Sequence, residues 1–494
     1  MNRIFPRRAG LALLLVLVLV LGGCAVVGPS FQPPVVAPPA RWNALPERAT
    51  GAAPLPANRW TVFGDPVLLR LQALAAPANQ DVKVAALRLL QARVNEATVS
   101  AQGGPRLDAH GAGLRQRQSE SGAATRVAGA LGGGAQQQQI VSVLSAPFSV
   151  YQAGFDASWE PDLWGRVARA EEAARADGDG QQALLRQVQL SVRAEVARQY
   201  FQLRAVQRQR QLVDAELAVA LDVQQVIEAQ WQGGLTDQSA LIKQRALVAG
   251  LQASLPALDA QQAQAGNQIA MLCAATPGAL HAELAAERAT SDAALPDLRL
   301  GLPSELVRQR PDLAAAEASL HAATADIGLA MADLYPRITI GASFGAESVD
   351  SGKFGDWGSR QWSLGPSLSI PLFDRGRRHS IVTLRELRQQ QAAVTYQQAV
   401  LKAWHEVDDA IANYLAETQR GEQFARKIGL AEDQAQLART RFANGMSTWL
   451  PVANEETALL EARRELADNR GRRNTALAAL FKALGDGGTA PDAE

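Results

Sequence analysis

Thiol chemistry is nearly absent from this chain, because 494 residues contain two cysteines, Cys24 and Cys273. Once Cys24 is modified as argued below, no intrachain disulfide can form and no thiolate cluster can hold a metal, so stability must come from packing. Excess charge is absent too. Lys plus Arg and Asp plus Glu both count 49, and a net charge of zero argues against nucleic acid as a partner. Five histidines, His110, His281, His321, His379 and His405, are scattered, without an HExxH or paired-Cys spacing. The run His405-Glu406-Val407-Asp408-Asp409 would point its members in different directions on a helix and reads as a solvated face. Gly341-Ala342-Ser343-Phe344-Gly345 has the letters of a hydrolase nucleophile elbow, but Ser343 falls in mid-alternation and not at a strand-turn-helix junction. No glycine-rich motif follows a strand to cradle phosphate. The chain therefore reads as a non-enzyme without cofactor or metal, drawing any energy it uses from a partner. One long apolar run exists, and 20% charged with 47% hydrophobic residues excludes wholesale disorder.

That run, Leu11 to Leu21, follows Arg3, Arg7 and Arg8 and is about half of the ~20 residues a spanning helix needs. It reads as a cleaved export signal over 1–23. Leu21-Gly22-Gly23-Cys24 resembles a bacterial lipobox, which implies diacylglycerol on Cys24; several acyl chains together give a stable anchor. Ala25 lacks the acidic signal that would retain such a protein at the inner membrane, so the expected location is the outer membrane. Eight prolines between Pro29 and Pro56 favour an extended tether over 24–59, with order beginning near Trp60.

Beyond the tether the chain repeats itself. Asp81 lies 24 residues before Pro105, as Asp312 does before Pro336; Gly165 lies 69 before Gly234, as Gly376 does before Gly445. The repeats are assigned to 60–275 and 303–485, joined by a linker at 276–302 and followed by a tail at 486–494. The first repeat carries 20 extra residues between its landmarks, matching Gln116 to Leu144, which has no helical or strand period and reads as a long loop.

Each repeat holds two alternating stretches. Trp362, Leu364, Pro366, Leu368, Ile370 and Leu372 alternate with Ser363, Gly365, Ser367 and Ser369; Ile338 to Phe344 and Tyr151 to Trp159 behave likewise, and Leu107 to Leu114 only weakly. About ten residues with one apolar face is what a membrane-spanning strand requires. Four strands cannot close a barrel, and an open edge in lipid leaves backbone groups unpaired, so subunits must share one. A soluble β-sandwich would show many evenly spaced strands, whereas these pairs are separated by long helical runs, Arg166 to Trp231, Thr236 to Cys273, Arg377 to Phe442 and Thr448 to Leu484. Leu185, Val192, Gln199, Val206, Val213, Ala220 and Ile227 step by seven, with Val196, Leu203 and Leu217 between them and Arg210 breaking the second row, a coiled-coil-like seam. Gly178 and Gly180 are expected to weaken or kink that helix. A narrow apolar stripe with wide polar faces fits a hollow helical tube or a solid stalk, and periodicity alone does not separate them.

The ordered set Val27-Gly28-Pro29, Trp60, Phe63, Asp65-Pro66, Asn79-Gln80-Asp81, Asp162-Leu163-Trp164-Gly165, Arg310-Pro311-Asp312, Tyr335-Pro336, Pro371-Leu372-Phe373-Asp374 and Arg441-Phe442-Ala443-Asn444-Gly445 resembles the TolC-like outer-membrane efflux family, in its lipoprotein (OprM/NodT-like) branch. The resemblance implies a homotrimer sharing a twelve-stranded barrel, with a periplasmic helical barrel that docks on a membrane-fusion adaptor and an inner-membrane pump. It also implies a gate at the periplasmic tips, in the turns at Gly234 and Gly445. Leu450 falls on the apolar constriction position, and Asn454 on a position that is acidic elsewhere in the family, followed by Glu455 and Glu456. In the first repeat the acidic position falls on Ala240, with Asp237 nearby. Ordinary helix packing is the other reading of Leu450 and Asn454, and a structural or adhesive lipoprotein with a coiled-coil stalk is the other reading of the whole chain.

Overall fold

A computed structural model describes residues 26–39, 41–45, 58–122, 134–285 and 309–485. Cys24 and the export signal, the linker from 286 to 302 and the tail from 486 to 494 lie outside the described residues. The chain divides into two compact units. The first comprises Met1–Gln32, Ala92–Asp177 and His321–Gln391; the second comprises Pro33–Gln91, Gly178–Leu320 and Ala392–Glu494.

The elements run α1 Pro66–Ala78, α2 Gln80–Ser100, β1 Arg106–Gln116, α3 Ala135–Leu144, β2 Phe148–Trp159, α4 Arg166–Gln232, α5 Gln238–Leu272, α6 His281–Ala285, α7 Pro311–Ala332, β3 Arg337–Ser348, β4 Arg360–Ser369, α8 Arg377–Ala443 and α9 Trp449–Ala483. The duplication shows in their lengths: α4 and α8 both have 67 residues, and α5 and α9 both have 35.

The first unit is built on one antiparallel sheet in the order β1-β2-β3-β4. All eleven residues of β1 pair with β2, from Arg106 with Ser158 to Gln116 with Phe148, so the stretch weakest in sequence is a full strand. Its outward positions Ala109, Gly111 and Gly113 carry little apolar signal, and β2 dictates the pairing. At the other end of the sheet, β4 stops at Ser369; Pro371 removes a ladder donor, so Ile370 and Leu372 lie beyond the strand. The expected loop from Gln116 to Leu144 is also corrected, since it contains α3. Ala135 and the following glutamines have good helix propensity without an apolar stripe, which hid the helix from a periodicity search.

Order begins well before Trp60. Residues 26–39 form no helix or strand, as their prolines require, yet Val26 to Phe31 are fixed in the first unit: Val27 N–H donates to the Trp164 carbonyl at 3.2 Å, and the half of Arg169 facing the strap donates from Nε to Val27 O (3.1 Å) and from Nη2 to Gly28 O (3.2 Å). Phe31 stacks on His321 with centroids 4.4 Å apart, and His321 Nε2 meets Glu172 at 2.9 Å.

The second unit holds the main core. Trp60, Phe63, Phe201 and Phe481 form a ring cluster with centroid separations of 4.6 to 6.4 Å, surrounded by Leu68 and Leu71 of α1, Ile269 of α5, Ile411 of α8 and Leu477 and Leu480 of α9. Trp42 and Leu45, from the stretch expected to be a tether, are buried in it. The heptad seam of α4 is real: Val192, Val206, Val213, Ala220 and Ile227 are buried, with Gln199 among them, while Arg210 leaves the seam to pair with Asp214 and Asp259. Helix α4 runs unbroken through Gly178 and Gly180. A side chain at Gly180 would meet the Ala318 Cβ at 3.5 Å, so this residue permits close packing on α7. Tyr200 donates its hydroxyl to Asp65 Oδ2 at 2.6 Å, while Asp65 Oδ1 caps α1 through Val67 N (2.9 Å); burial, then the Asp65 bond, push the phenol pKa up.

Candidate membrane sheet and helix-turn gate

The register sorts the sheet into two faces. On one lie Leu107, Ala109, Gly111, Gly113, Tyr151, Ala153, Phe155, Ala157, Trp159, Ile338, Ile340, Ala342, Phe344, Ala346, Trp362, Leu364, Pro366 and Leu368; Phe155, Phe344 and Trp362 stand in one row. The opposite face carries Asp108, His110, Gln152, Asp156, Ser158, Thr339, Ser343, Glu347, Ser363 and Ser367. There His110 Nδ1 meets Asp156 at 2.9 Å, Gln152 Nε2 donates to Glu347 at 2.7 Å, and the Ser343 and Ser363 hydroxyls are 2.8 Å apart. Ser343 thus sits in mid-strand beside another serine.

Among the described residues no element covers the apolar face, which leaves Trp362 76% exposed, and β1 and β4 each have an unpaired edge. No helix among the described residues is long and apolar enough to cross a membrane. An amphipathic sheet with a bare apolar face and two open edges suits a barrel wall, apolar side to lipid and polar side to a lumen.

The predicted turns have matching geometry. Two residues beyond the end of α4 lies Gly234 at φ +70, and two beyond the end of α8 lies Gly445 at φ +69. In each, the next residue donates back to the last helical turn, Leu235 N to Gln230 O at 2.8 Å and Met446 N to Arg441 O at 2.9 Å, the Schellman arrangement that requires a left-handed residue. Asp237 is exposed and caps α5, accepting from Ala240 N at 2.9 Å. Leu450 is half-buried, packed with Trp449 and Ala240 against Val223, Ile227, Leu241 and Ala453; Asn454 is exposed. Leu450 and Ala240 therefore share a cluster, whereas Asp237 and Asn454 face outward from their helices.

Sequence reading missed an ion pair that bridges each hairpin. Glu228, six residues before Gly234, meets Arg245, eleven after it, at 2.8 Å; Arg439, six before Gly445, meets Glu456, eleven after it, at 2.9 Å. The two pairs occupy equivalent positions with the charges exchanged, a signal that aligning the repeats on their glycines would have shown. Glu456 is thus neutralised and does not stand as a free carboxylate beside Asn454. A second missed link joins α4 to α9, where Arg464 donates to the buried Glu216 at 2.8 Å. The acidic run on α8 is divided among partners: Glu406 takes Arg310, Val407 is buried, and Asp408 accepts from Ala44 N at 2.9 Å.

Together the bare amphipathic sheet and the paired helical hairpins define an outer-membrane duct assembled from several copies of one chain. Residues 71–275 and 302–486 match the family model described as outer membrane efflux protein, and the chain belongs to that family. It is similar to the pyoverdine export outer membrane protein OpmQ of Pseudomonas putida, 31% identical over 454 residues and 92% of each chain, and to the outer membrane protein OprJ of Pseudomonas aeruginosa, 30% identical over 96% of this chain and 95% of that protein. Among solved structures, the outer-membrane channel OprN matches with a TM-score of 0.81 and 28% identity, over 94% of this chain and 99% of that one. The protein is accordingly an outer-membrane efflux channel component, working as a homotrimer with a periplasmic adaptor and an inner-membrane pump.

Proposed function

We propose that this chain is the passive exit duct of its efflux system, tethered by a lipid on Cys24, narrowed at the turns following Gly234 and Gly445, and without a chemical step of its own. The observation that carries the reading is the four-stranded sheet whose apolar face and edges are satisfied only by lipid and by neighbouring copies. Related proteins are named for cargoes as unlike as pyoverdine, toluene and cations, which supports a duct that selects little and takes its cargo from the pump. Leu450, Asn454 and Asp237 form the narrowing in this reading. With Asn at 454 and Glu456 held by Arg439, the constriction carries less free negative charge than a carboxylate ring would, so divalent cations block it weakly. The test is single-channel recording of the purified trimer in a planar bilayer. Discrete conductance steps, enlarged in the Leu450→Ala/Asn454→Ser variant, are expected. Absence of steps would favour the stalk reading, and an unchanged conductance in the variant would remove these two residues from the gate.

A further inference from the structure

The lipid-facing side of the sheet carries only two charges, and both sit at the same end. Of its positions on β1, β2, β3 and β4, Arg115 and Arg360 alone are charged at neutral pH; all others except Ser149, Ser348 and the Tyr151 hydroxyl are apolar. Along β4 the outward positions read Leu368, Pro366, Leu364, Trp362 and then Arg360, so the cation tops an apolar stripe. Both arginines lie at the rim where 117–147 and 349–359 connect the strands. The opposite rim, where α4 and α8 begin, has Arg106 and Arg337 on the polar face. Since the helices extend into the periplasm, the two outward arginines mark the outer leaflet.

Neither is neutralised. Among the described residues Arg115 and Arg360 have no carboxylate within ion-pairing distance, whereas the neighbouring Arg117 is paired with Glu120 at 2.7 Å. Of the acids in the adjoining loop, Asp350 turns its Oδ1 to Gly352 N at 3.0 Å. The Arg360 guanidinium lies 4.1 Å from the ring centroid of Trp357, which is itself 80% exposed, so an aromatic platform holds the cation in place and leaves its N–H groups unused. In a closed antiparallel barrel β4 of one subunit runs beside β1 of the next, bringing Arg360 and the neighbouring copy's Arg115 end to one rim three times around the trimer. A planar guanidinium pairs bidentately with phosphate, and the outer leaflet of this membrane is built of phosphorylated glycolipid.

We propose that Arg115, Arg360 and Trp357 form a binding site for the phosphate groups of outer-leaflet glycolipid at each subunit boundary. The site ties annular lipid across the β4–β1 seam and so reinforces the trimer from the membrane side. It is independent of the gate and of cargo. The test reconstitutes full-length trimer into phosphatidylethanolamine vesicles containing either bisphosphorylated lipid A or its enzymatically dephosphorylated form, re-extracts the protein, and counts lipid A retained per trimer by mass spectrometry. The wild type is expected to retain bisphosphorylated lipid A at least five-fold over the dephosphorylated form. Arg115→Gln/Arg360→Gln should abolish that preference, and Arg115→Lys/Arg360→Lys should keep part of it. Millimolar inorganic phosphate should leave retention unchanged, since the acyl chains also bind. Equal retention of both lipids by the wild type overturns the proposal, as does an undiminished preference in the Gln variant or displacement by free phosphate. The wild-type comparison decides alone if the Gln variant fails to assemble.

Discussion

The N-terminal strap is held by a contact tight enough to predict what breaks it. Gly28 has φ +95, and a Cβ built there would lie 2.4 Å from the Gly328 Cα on α7. Gly28→Ala therefore meets two penalties: about 1–2 kcal/mol for a side chain at positive φ, and roughly 1–3 kcal/mol for the overlap, since backbone lies opposite and cannot rotate away. The sum, about 2–5 kcal/mol, corresponds at about 1.4 kcal/mol per decade to an opening equilibrium raised on the order of 30-fold or more. The strap's own gains are modest, mainly the bonds from Arg169 to Val27 and Gly28 and the Phe31–His321 stack, so it should detach and the sheet should not unfold. Hydrogen exchange of the detergent-solubilised trimer, read by mass spectrometry, should show Val26 to Phe31 exchanging at least ten-fold faster with Arg337–Ser348 unchanged. Wild-type exchange rates at Val26 to Phe31 in an intact variant would refute the reasoning, because the strap would then be held by something other than this approach.

Arg464→Met leaves Glu216, 3% exposed, without its partner; because Arg464 is itself part-exposed the cost should be about 1–3 kcal/mol, seen as a lowered Tm and largely restored in Glu216→Gln/Arg464→Met. Burial, with Glu283 nearby, pushes the Cys273 thiol pKa up to about 11, so at pH 7.5 a maleimide should label the folded trimer at a small fraction of the rate seen after denaturation, and equal rates would contradict the burial. Cys24→Ala carried by a cleavable signal should still reach the outer membrane as a trimer, since the sheet supplies its own membrane affinity; a soluble periplasmic product in cell fractionation would count against the barrel.

What the sequence disclosed depends on whether the signal was local. Strand β4 alternates leucine and tryptophan with serine and glycine, so its face and period were readable directly, whereas β1 exposes alanine and glycine to lipid and becomes a strand through eleven pairings to β2. The long helices announced themselves through the α4 seam. The stretch before Trp60 did not: its prolines declare an extended chain, but Trp42 and Leu45 join a core whose other members, such as Val407 and Leu480, lie far along the sequence. The candidate gate was half legible. Glycine placed both turns to the residue, yet the neutralisation of Glu456 depends on Arg439 lying opposite across the hairpin, a spacing that carries meaning only once the turn is known.

The open sheet also couples insertion to assembly. Strand β1 has eleven residues and β4 has ten, and on the outer edge of each roughly half of the backbone groups point away from the sheet. In hydrocarbon each unsatisfied group costs several kcal/mol. Even a handful of them exceeds the about 5–15 kcal/mol by which a typical domain is stable. A lone subunit therefore has no stable place in the membrane core, and pairing of β4 with β1 of the next copy has to accompany insertion. That order makes the subunit boundary the last part of the wall to form. It is also the place where Arg360 and the neighbouring copy's Arg115 converge, so lipid held there reinforces the seam that closes last.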